Sequence, residues 1–141
     1  MSDPLTLTVI GIVVLLALSA FFSGSETALT GASRPRMHQL ESEGNRRAGT
    51  VNLLHARQER LIGGILIGNN IVNILASALA TSMMITLFGD AGVVYATIAM
   101  TTLVVIFSEV LPKTYAIRHA DDVAITVARP IRFIVIALSP L

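Results

Sequence analysis

Long stretches without any charged residue most constrain how this chain can fold. The three longest run from Pro4 to Ser25, from Leu61 to Gly89 and from Ala91 to Ser108. A hydrocarbon core of about 30 Å takes roughly 20 helical residues to cross. Because backbone polar groups in lipid must be satisfied within the segment, only helices or closed barrels can cross. We therefore predict an all-α integral membrane protein with three transmembrane helices, spans one to three, at roughly residues 4–30, 61–88 and 91–111.

Composition agrees with this prediction. Hydrophobic residues make up 53% of the 141 residues and charged ones only 13%, whereas soluble domains usually carry about 25% charged residues. A soluble enzyme or nucleic-acid-binding protein is therefore not expected, and no nucleophile–base constellation indicates an enzyme. The chain has no cysteine, so disulfides and thiolate metal ligands are excluded.

The two ends of the chain carry weaker signals. Asp3 occupies the region where a cleavable signal would be basic, and no small-residue cleavage site follows, so span one is expected to be retained. The C-terminal end at 139–141 is expected to be the cut end of a longer protein. Residues 1–141 are accordingly predicted to form one transmembrane domain without its regulatory domains.

The basic residues predict the orientation. They fall only between spans one and two and after span three: Arg34, Arg36, Arg46, Arg47, Arg57 and Arg60, then Lys113, Arg118, Arg129 and Arg132. With three spans these two segments lie on one face, which the positive-inside rule assigns to the cytoplasm. Met1 and the turn Gly89–Gly92 are then expected outside.

The loop between spans one and two is predicted to be helical. Ser33 can cap a helix with Pro35 in its first turn, and a second helix should begin at Arg46. Its apolar stripe is predicted to comprise Ala48, Val51, Leu54 and Ile62. We expect interfacial helices at roughly 33–60, at the headgroup boundary; a solvated connector is the alternative.

A further interfacial helix is expected at roughly 120–141. Arg129, Pro130 and Arg132 interrupt the start of its apolar part, and the chain ends before that part could span. The alternative is a truncated fourth span. His38, His55 and His119 all lie in the cytoplasmic segments and are expected to be solvated.

Two acidic residues, Glu26 and Glu109, lie within or at the ends of apolar spans. A charge near the middle of a span costs roughly 2.5–3.5 kcal/mol on insertion scales, so such residues face protein or a cavity. The alternative is that each sits at the interface, where its side chain reaches water. Because Ser19, Ser23, Glu26 and Thr30 share one helical face, the first interpretation is favoured.

Span two carries three asparagines within five residues: Asn69, Asn70 and Asn73. Buried amides in an apolar helix need partners, which are either other helices or a ligand. The same span contains a GxxxG pattern from Gly64 to Gly68. That pattern permits close helix contact either within the bundle or between protomers.

In span three, Ser108 and Glu109 precede Pro112. Proline lacks the N–H that would bond the carbonyl four residues back, so the Ser108 carbonyl is expected to be free. The alternative, that Pro112 ends the span and Lys113 anchors it, is compatible. Hydroxyl, amide, carboxylate and backbone oxygens from three spans would suit a hard cation such as Mg²⁺, Ca²⁺ or Na⁺.

Three motifs carry a family resemblance: Phe22–Leu29 (FSGSETAL), Leu66–Asn73 (LIGNNIVN) and Phe107–Lys113 (FSEVLPK). In this order and spacing they resemble the transmembrane domain of the CorC/CNNM magnesium transporters. The resemblance implies a homodimeric, multi-pass domain of the cell (inner) membrane that binds Mg²⁺ and exports it with Na⁺ as the coupling ion. It also implies cytoplasmic CBS-type domains in the full-length protein, with no ATP site in this chain and no nucleic-acid partner.

The resemblance and the oxygen chemistry together select the site residues. Metal ligands are predicted among Ser23, Asn69, Asn70, Asn73, Ser108 and Glu109. A cavity or gate is predicted from Ser19, Gly24, Ser25, Glu26, Gly68 and Pro112. Of the two carboxylates, Glu109 is expected to hold the ion, and Glu26 to line the cavity mouth or pair with a basic residue.

Two other functions remain open from the sequence. A membrane-anchored sensor or scaffold would bind Mg²⁺ without transporting it. A channel is disfavoured because span three, outward of Ser108, offers only Thr97, Thr101, Thr102 and Tyr95 as polar side chains.

Overall fold

The computed structural model describes residues 4–138, and every regular element in this range is helical. The elements are α1 (Pro4–Gly31), α2 (Arg34–Ser42), α3 (Arg46–Ala56), α4 (Gln58–Phe88), a 3₁₀ turn (Gly89–Ala91), α5 (Gly92–Leu103), a π-helical segment (Val104–Val110), α6 (Leu111–Arg118) and α7 (Ala120–Leu138). Two helical stretches are long and apolar enough to cross a membrane, Pro4–Gly31 and Gln58–Arg118. The predicted all-helical fold class is confirmed.

The stretch from Gln58 to Arg118 is a hairpin and not one rod. A straight helix of its 61 residues would be about 90 Å long, roughly three times a hydrocarbon core. Instead, the chain reverses at Gly89, whose φ is +68°, and α5 packs along α4. A side chain at Gly92 would collide with the Met84 backbone, so glycine permits the close return.

Helix α1 lies at the centre of the fold. It packs against α4, the π segment, α6, α7 and, less extensively, α3. The larger apolar core surrounds its second half and includes Leu29, Leu61 and Ile131, all fully buried. A smaller core, built on Ile12 and Met100, joins α1 to the hairpin.

The loop between α1 and α4 has the predicted cap at Ser33 and a second cap at Asn45. The Ser33 side chain accepts a hydrogen bond from the Arg36 N–H, and the Asn45 side chain accepts one from the Ala48 N–H. Ala48, Val51 and Leu54 of the predicted stripe are buried in the larger core. The segment is therefore packed protein and not a solvated connector. Its depth at the headgroups stays a prediction.

Two details of this loop differ from the prediction. Ile62 is 37% exposed, and Leu61 takes its place in the core, because the change from α3 to α4 at Arg57 breaks the helical periodicity. His55 is buried instead of solvated, and its Nε2 lies 2.6 Å from the Leu29 carbonyl oxygen of α1. His38 and His119 are exposed, as expected.

Helix α7 forms where a helix at roughly 120–141 was predicted, and it continues through Pro130. It packs on α1, α3 and α4, with Ile131 and Val135 buried. Its first turn is tied to α2, since the Ser33 N–H donates to Asp121 Oδ1 at 2.8 Å. Residues 1–3 and 139–141 lie outside the described range, and the predictions on Met1, Asp3 and the C-terminal end lie there too.

The GxxxG pattern is used within the chain. A side chain at Gly64 would meet Val135 of α7 at 3.2 Å, and one at Gly68 would meet the Phe22 ring of α1 at 2.9 Å. The two glycines thus let α4 approach both neighbouring helices. Of the two uses that the sequence left open, contact within the bundle is confirmed.

Candidate cation site

The polar face of α1 divides into a buried part and an exposed end. Ser19 and Ser23 of this face are 0% and 1% exposed, and Ser25, which lies on the opposite side of α1, is buried as well. Glu26 is half-buried, and Thr30 is exposed with its hydroxyl donating to the Glu26 carbonyl oxygen at 2.7 Å. The hydroxyls that sequence periodicity placed on one face with Glu26 therefore enter the protein, whereas Thr30 does not.

Two asparagines of α4 join this face. Ser19 Oγ donates to Asn69 Oδ1 at 2.9 Å, and Asn73 Nδ2 donates to the same oxygen at 3.4 Å. An amide oxygen has two lone pairs, so Asn69 Oδ1 is occupied by these two donors. Asn73 Oδ1, by contrast, is buried and has no hydrogen-bond partner within residues 4–138.

Five buried side-chain polar atoms lack a partner in the described part of the chain, and three of them are oxygens of α1 and α4: Ser23 Oγ, Ser25 Oγ and Asn73 Oδ1. A buried polar group without a partner costs about 1–3 kcal/mol. Native proteins retain such groups mainly where an ion, water or a functional role explains them. These oxygens are therefore the strongest indication of a ligand site between α1 and α4.

Asn70 does not join this cluster. It is exposed on α4, because one residue along a helix turns the side chain by about 100° away from Asn69. The predicted ligand set therefore loses Asn70 in this fold. Gly68, predicted at the cavity, lies instead beneath the Phe22 ring and permits the approach of α1 to α4.

After α1 and α4, the π-helical segment is the third element that contributes polar residues to the candidate site. Ser108 is fully buried, and its Oγ donates to the Leu16 carbonyl oxygen of α1 at 3.2 Å. The segment ends with the Leu111 N–H bonded to the Ile106 carbonyl oxygen, five residues back. In this register Pro112 has no N–H to give to Phe107. The carbonyl that loses a donor to Pro112 in this register is that of Phe107, and a free Ser108 carbonyl stays a prediction. π-Helical turns occur frequently at functional sites.

Gly24 holds α1 close to this break in the helix. A Cβ added at Gly24 would lie 3.5 Å from Pro112 Cβ and 3.6 Å from the Pro112 carbonyl oxygen. A larger side chain would have to displace α6. Gly24 and Pro112, both predicted to belong to the cavity or gate, are therefore brought together.

The carboxylate of Glu109 forms an ion pair with Lys113, which the sequence predicted only as an anchor of span three. Glu109 Oε2 lies 3.3 Å from Lys113 Nζ, one turn later, and the Glu109 side chain is 35% exposed. Glu26 makes no ion pair with any residue between 4 and 138. Of the two alternatives for Glu26, pairing with a basic residue is not found in this range, and lining the cavity mouth stays a prediction; the ion pair forms at Glu109.

A polar groove continues from Asn73 between α4 and α5. It has a volume of about 380 Å³, and its polar lining is Asn73, Ser77, Thr81, Thr97 and Thr101. The expectation that the outer halves of the spans lack a polar line is therefore wrong, because it considered span three alone. Ser77 and Thr81 continue the Asn69–Asn73 spacing of four residues, and this periodicity was the signal for the groove.

Three of the four groove hydroxyls differ from hydroxyls elsewhere on the same helices, whereas that of Thr97 donates to the Val93 carbonyl oxygen at 2.8 Å. Thr86 and Thr102, which are exposed, donate to the carbonyl four residues back at 3.0 and 2.9 Å. The hydroxyls of Ser77, Thr81 and Thr101 make no hydrogen bond to any described residue. They are therefore available to water or to an ion in the groove.

All donors in this region are oxygens. Within residues 4–138 no group of three or more histidine, cysteine, aspartate or glutamate side chains could hold a metal ion. The available set is hydroxyl, amide and backbone oxygen, with one nearby carboxylate. Such a set suits hard cations and holds them weakly, because most of the ligands are neutral.

Comparison with known proteins agrees with the motifs. The family model "CNNM: Cyclin M transmembrane N-terminal domain" matches residues 10–141. UPF0053 inner membrane protein YfjD of Escherichia coli is 50% identical over 107 residues, which are 76% of this chain and 25% of that protein. A UPF0053 protein of Haemophilus influenzae is 44% identical over 123 residues, 87% of this chain and 29% of that protein.

A DUF21 domain-containing chloroplastic protein of Arabidopsis thaliana is 39% identical over 127 residues, 90% of this chain and 19% of that protein. The chain thus spans less than a third of the length of each of these relatives. The family match and the long apolar helices together indicate a membrane protein whose surroundings are a lipid bilayer. By the match over residues 10–141, the chain belongs to the CorC/CNNM family and carries its transmembrane domain.

Proposed function

We propose that this domain transports Mg²⁺ across the cell membrane, exporting it with Na⁺ entry as the driving force. The observation that supports this most is the pair of buried, unpartnered oxygens on neighbouring helices, Ser23 Oγ and Asn73 Oδ1. Membership of a metal-transporter family gives the substrate class, and the oxygen-only chemistry agrees with it. The domain is proposed to be a transporter and not an enzyme.

The proposed topology has three crossings. Helix α1 is one span, and the hairpin supplies two, with α4 before the Gly89 turn and α5 with the π segment after it. The basic segments then lie in the cytoplasm and the Gly89–Gly92 turn outside. In this orientation Glu109 lies toward the cytoplasmic end of span three.

The proposed ligand roles follow from which oxygens are free. Ser23 and Asn73 bind the ion directly, since their oxygens have no other partner. Asn69 and Ser108 are positioning residues, because their side chains already join α4 and the π segment to α1. Glu109 supplies the negative charge, and binding of the cation there displaces Lys113. Because Mg²⁺ dehydrates reluctantly, one carboxylate among neutral ligands permits release.

Helix movement would complete a transport cycle. The π segment and Pro112 together interrupt the regular backbone ladder beside the site, and such interruptions allow helices to bend. The groove from Asn73 to Thr81 provides an outward route of hydroxyl oxygens. Na⁺, which also takes oxygen ligands, is proposed to enter by the same groove. A homodimer and cytoplasmic CBS-type domains in the full-length protein belong to the same proposal.

A flux assay in proteoliposomes tests this function. Vesicles with a Na⁺ gradient and an internal Mg²⁺ indicator should show counterflow for the wild type and none above protein-free vesicles for Glu109→Gln. Glu26→Gln is the matched control, since it removes the other carboxylate of the spans and should retain most of the flux. Wild-type flux in Glu109→Gln would refute the assignment of the site.

The rival function, a sensor or scaffold, makes a different prediction. It requires Mg²⁺ binding, measured by calorimetry, without counterflow under any Na⁺ gradient. Binding without flux in the wild-type protein would therefore reject transport while preserving the site.

A further inference from the structure

Five arginines converge on one side of the fold at the basic end of the bundle. They come from α3, the α3–α4 junction, α4 and α7: Arg46, Arg57, Arg60, Arg129 and Arg132. They line two clefts of about 190 and 450 Å³, which share Arg132 and Ile136. We call the two together the arginine cleft. No residue lining either cleft is acidic.

These five charges have no counter-ion within residues 4–138. The ion pair found in that range joins Lys113 to Glu109, and the five arginine side chains make no hydrogen bond to a described residue. Like charges gathered at one place repel one another unless an anion joins them. Because the guanidinium group binds phosphate oxygens in a two-pronged geometry, phosphate is the best matched anion.

The remaining lining of the arginine cleft is apolar. Leu54 and Val135 form a buried floor, whereas Leu53, Phe133 and Ile136 are 55%, 75% and 62% exposed at the rim. Inorganic phosphate or another small anion would leave this apolar surface uncovered. A ligand with a phosphate and a hydrocarbon chain would cover both parts.

The position of the arginine cleft at the start of the uncharged part of α4 indicates that such a ligand comes from the membrane. Arg60 directly precedes Leu61, where the uncharged stretch of α4 begins, so its guanidinium lies at the boundary of the apolar segment. Basic pockets between helices on the cytoplasmic side bind anionic lipid headgroups. We propose that the arginine cleft binds an anionic phospholipid, with the phosphate on Arg57, Arg60 and Arg132 and an acyl chain over Leu53, Phe133 and Ile136.

Native mass spectrometry tests whether the arginines bind the lipid. The protein is released from vesicles of mixed phosphatidylglycerol and phosphatidylcholine, and the retained lipid is measured. The triple variant Arg57→Gln, Arg60→Gln, Arg132→Gln should retain about tenfold less phosphatidylglycerol than the wild type. The matched control Arg36→Gln, Arg47→Gln, Arg118→Gln removes the same charge from exposed positions outside the arginine cleft and should retain wild-type amounts. Equal losses in both variants would show general surface attraction only and overturn the proposal.

A second variant separates a lipid from a free anion. Leu53→Ser with Ile136→Ser keeps every arginine and changes only exposed rim residues, so folding, checked by lipid-free thermal unfolding, should be unchanged. Its phosphatidylglycerol retention should fall several-fold. Unchanged retention, or complete displacement of the lipid by excess inorganic phosphate, would overturn the acyl-chain part. If the triple arginine variant and the double rim variant both bind phosphatidylglycerol as the wild type does, the proposal is wrong. The ligand of the arginines is then an acidic protein segment. None of these measurements depends on Mg²⁺ flux.

Discussion

The candidate cation site and the arginine cleft share helix α4 but contain different kinds of polar group. Between α1 and α4, where burial is nearly complete, the polar groups are neutral hydroxyls and amides with unpartnered oxygens. In the arginine cleft the groups are full charges with partly exposed apolar neighbours. Charge is expensive in the interior of a membrane protein and inexpensive at the headgroups. The comparison indicates that depth in the membrane decides whether the polar groups of a ligand site are neutral or charged.

Among the variants that test this comparison, Gly24→Leu is expected to have the largest effect. The added side chain would meet Pro112 and push α6 and the π segment away from α1. We expect flux to fall to the background of protein-free vesicles and the free energy of unfolding to drop by about 1–3 kcal/mol, typical of overpacking. Gly63→Leu is the control, since nothing lies within 4 Å of a side chain there. Normal flux in Gly24→Leu would show that the close approach is unnecessary.

Asn73→Leu tests whether the neutral Oδ1 of Asn73 is a ligand of Mg²⁺ in the interior of the helix bundle. Loss of its free Oδ1 should weaken Mg²⁺ affinity by about tenfold or more, because a ligand to a charged group contributes about 1.5–3 kcal/mol. Asn70→Leu, an equal change at an exposed position on the same helix, should change affinity little. Isothermal titration with Mg²⁺ measures both. A larger loss in Asn70→Leu would reverse the assignment of these residues.

The groove predicts a smaller effect, on transport rate more than on binding. Ser77→Ala with Thr81→Val and Thr101→Val removes the three unbonded hydroxyls and should slow counterflow about fivefold, with Mg²⁺ affinity nearly unchanged. Thr86→Val with Thr102→Val removes hydroxyls that are bonded to their own helix and serves as the control. Equal slowing in the two variants would reject the groove as a route.

Lys113→Met is expected to give the smallest change. The Glu109–Lys113 pair is partly exposed, and such pairs contribute about 0.2–1 kcal/mol. Removing the competing ammonium should therefore raise Mg²⁺ affinity about twofold. Lower affinity would mean that Lys113 supports the carboxylate geometry instead of competing with the ion.

Local patterns were predicted well from the sequence because each depends on a few neighbouring residues. The cap at Ser33, the stripe of Ala48, Val51 and Leu54, and the turn at Gly89 all follow from short-range geometry. The same holds for the face shared by Ser19 and Ser23.

Contacts between helices were predicted less well. The burial of His55 and the exposure of Asn70 depend on which face of one helix meets another. A helical period shows which residues share a face, but not what that face contacts.

By itself, the sequence determined that this chain is helical, that its apolar stretches suit a membrane, and that oxygen ligands accumulate in three motifs. Hydropathy, charge asymmetry and helical spacing are properties of the chain and survive any arrangement of the helices. Only the tertiary structure decided that Ser19 of α1 donates to Asn69 of α4 and that the Asn73 Oδ1 nearby is buried without a partner in the described range. It also decided that separate arginines share one cleft. These features are sums of contacts between distant residues, and such contacts exist only once α1 has taken its place among the other helices.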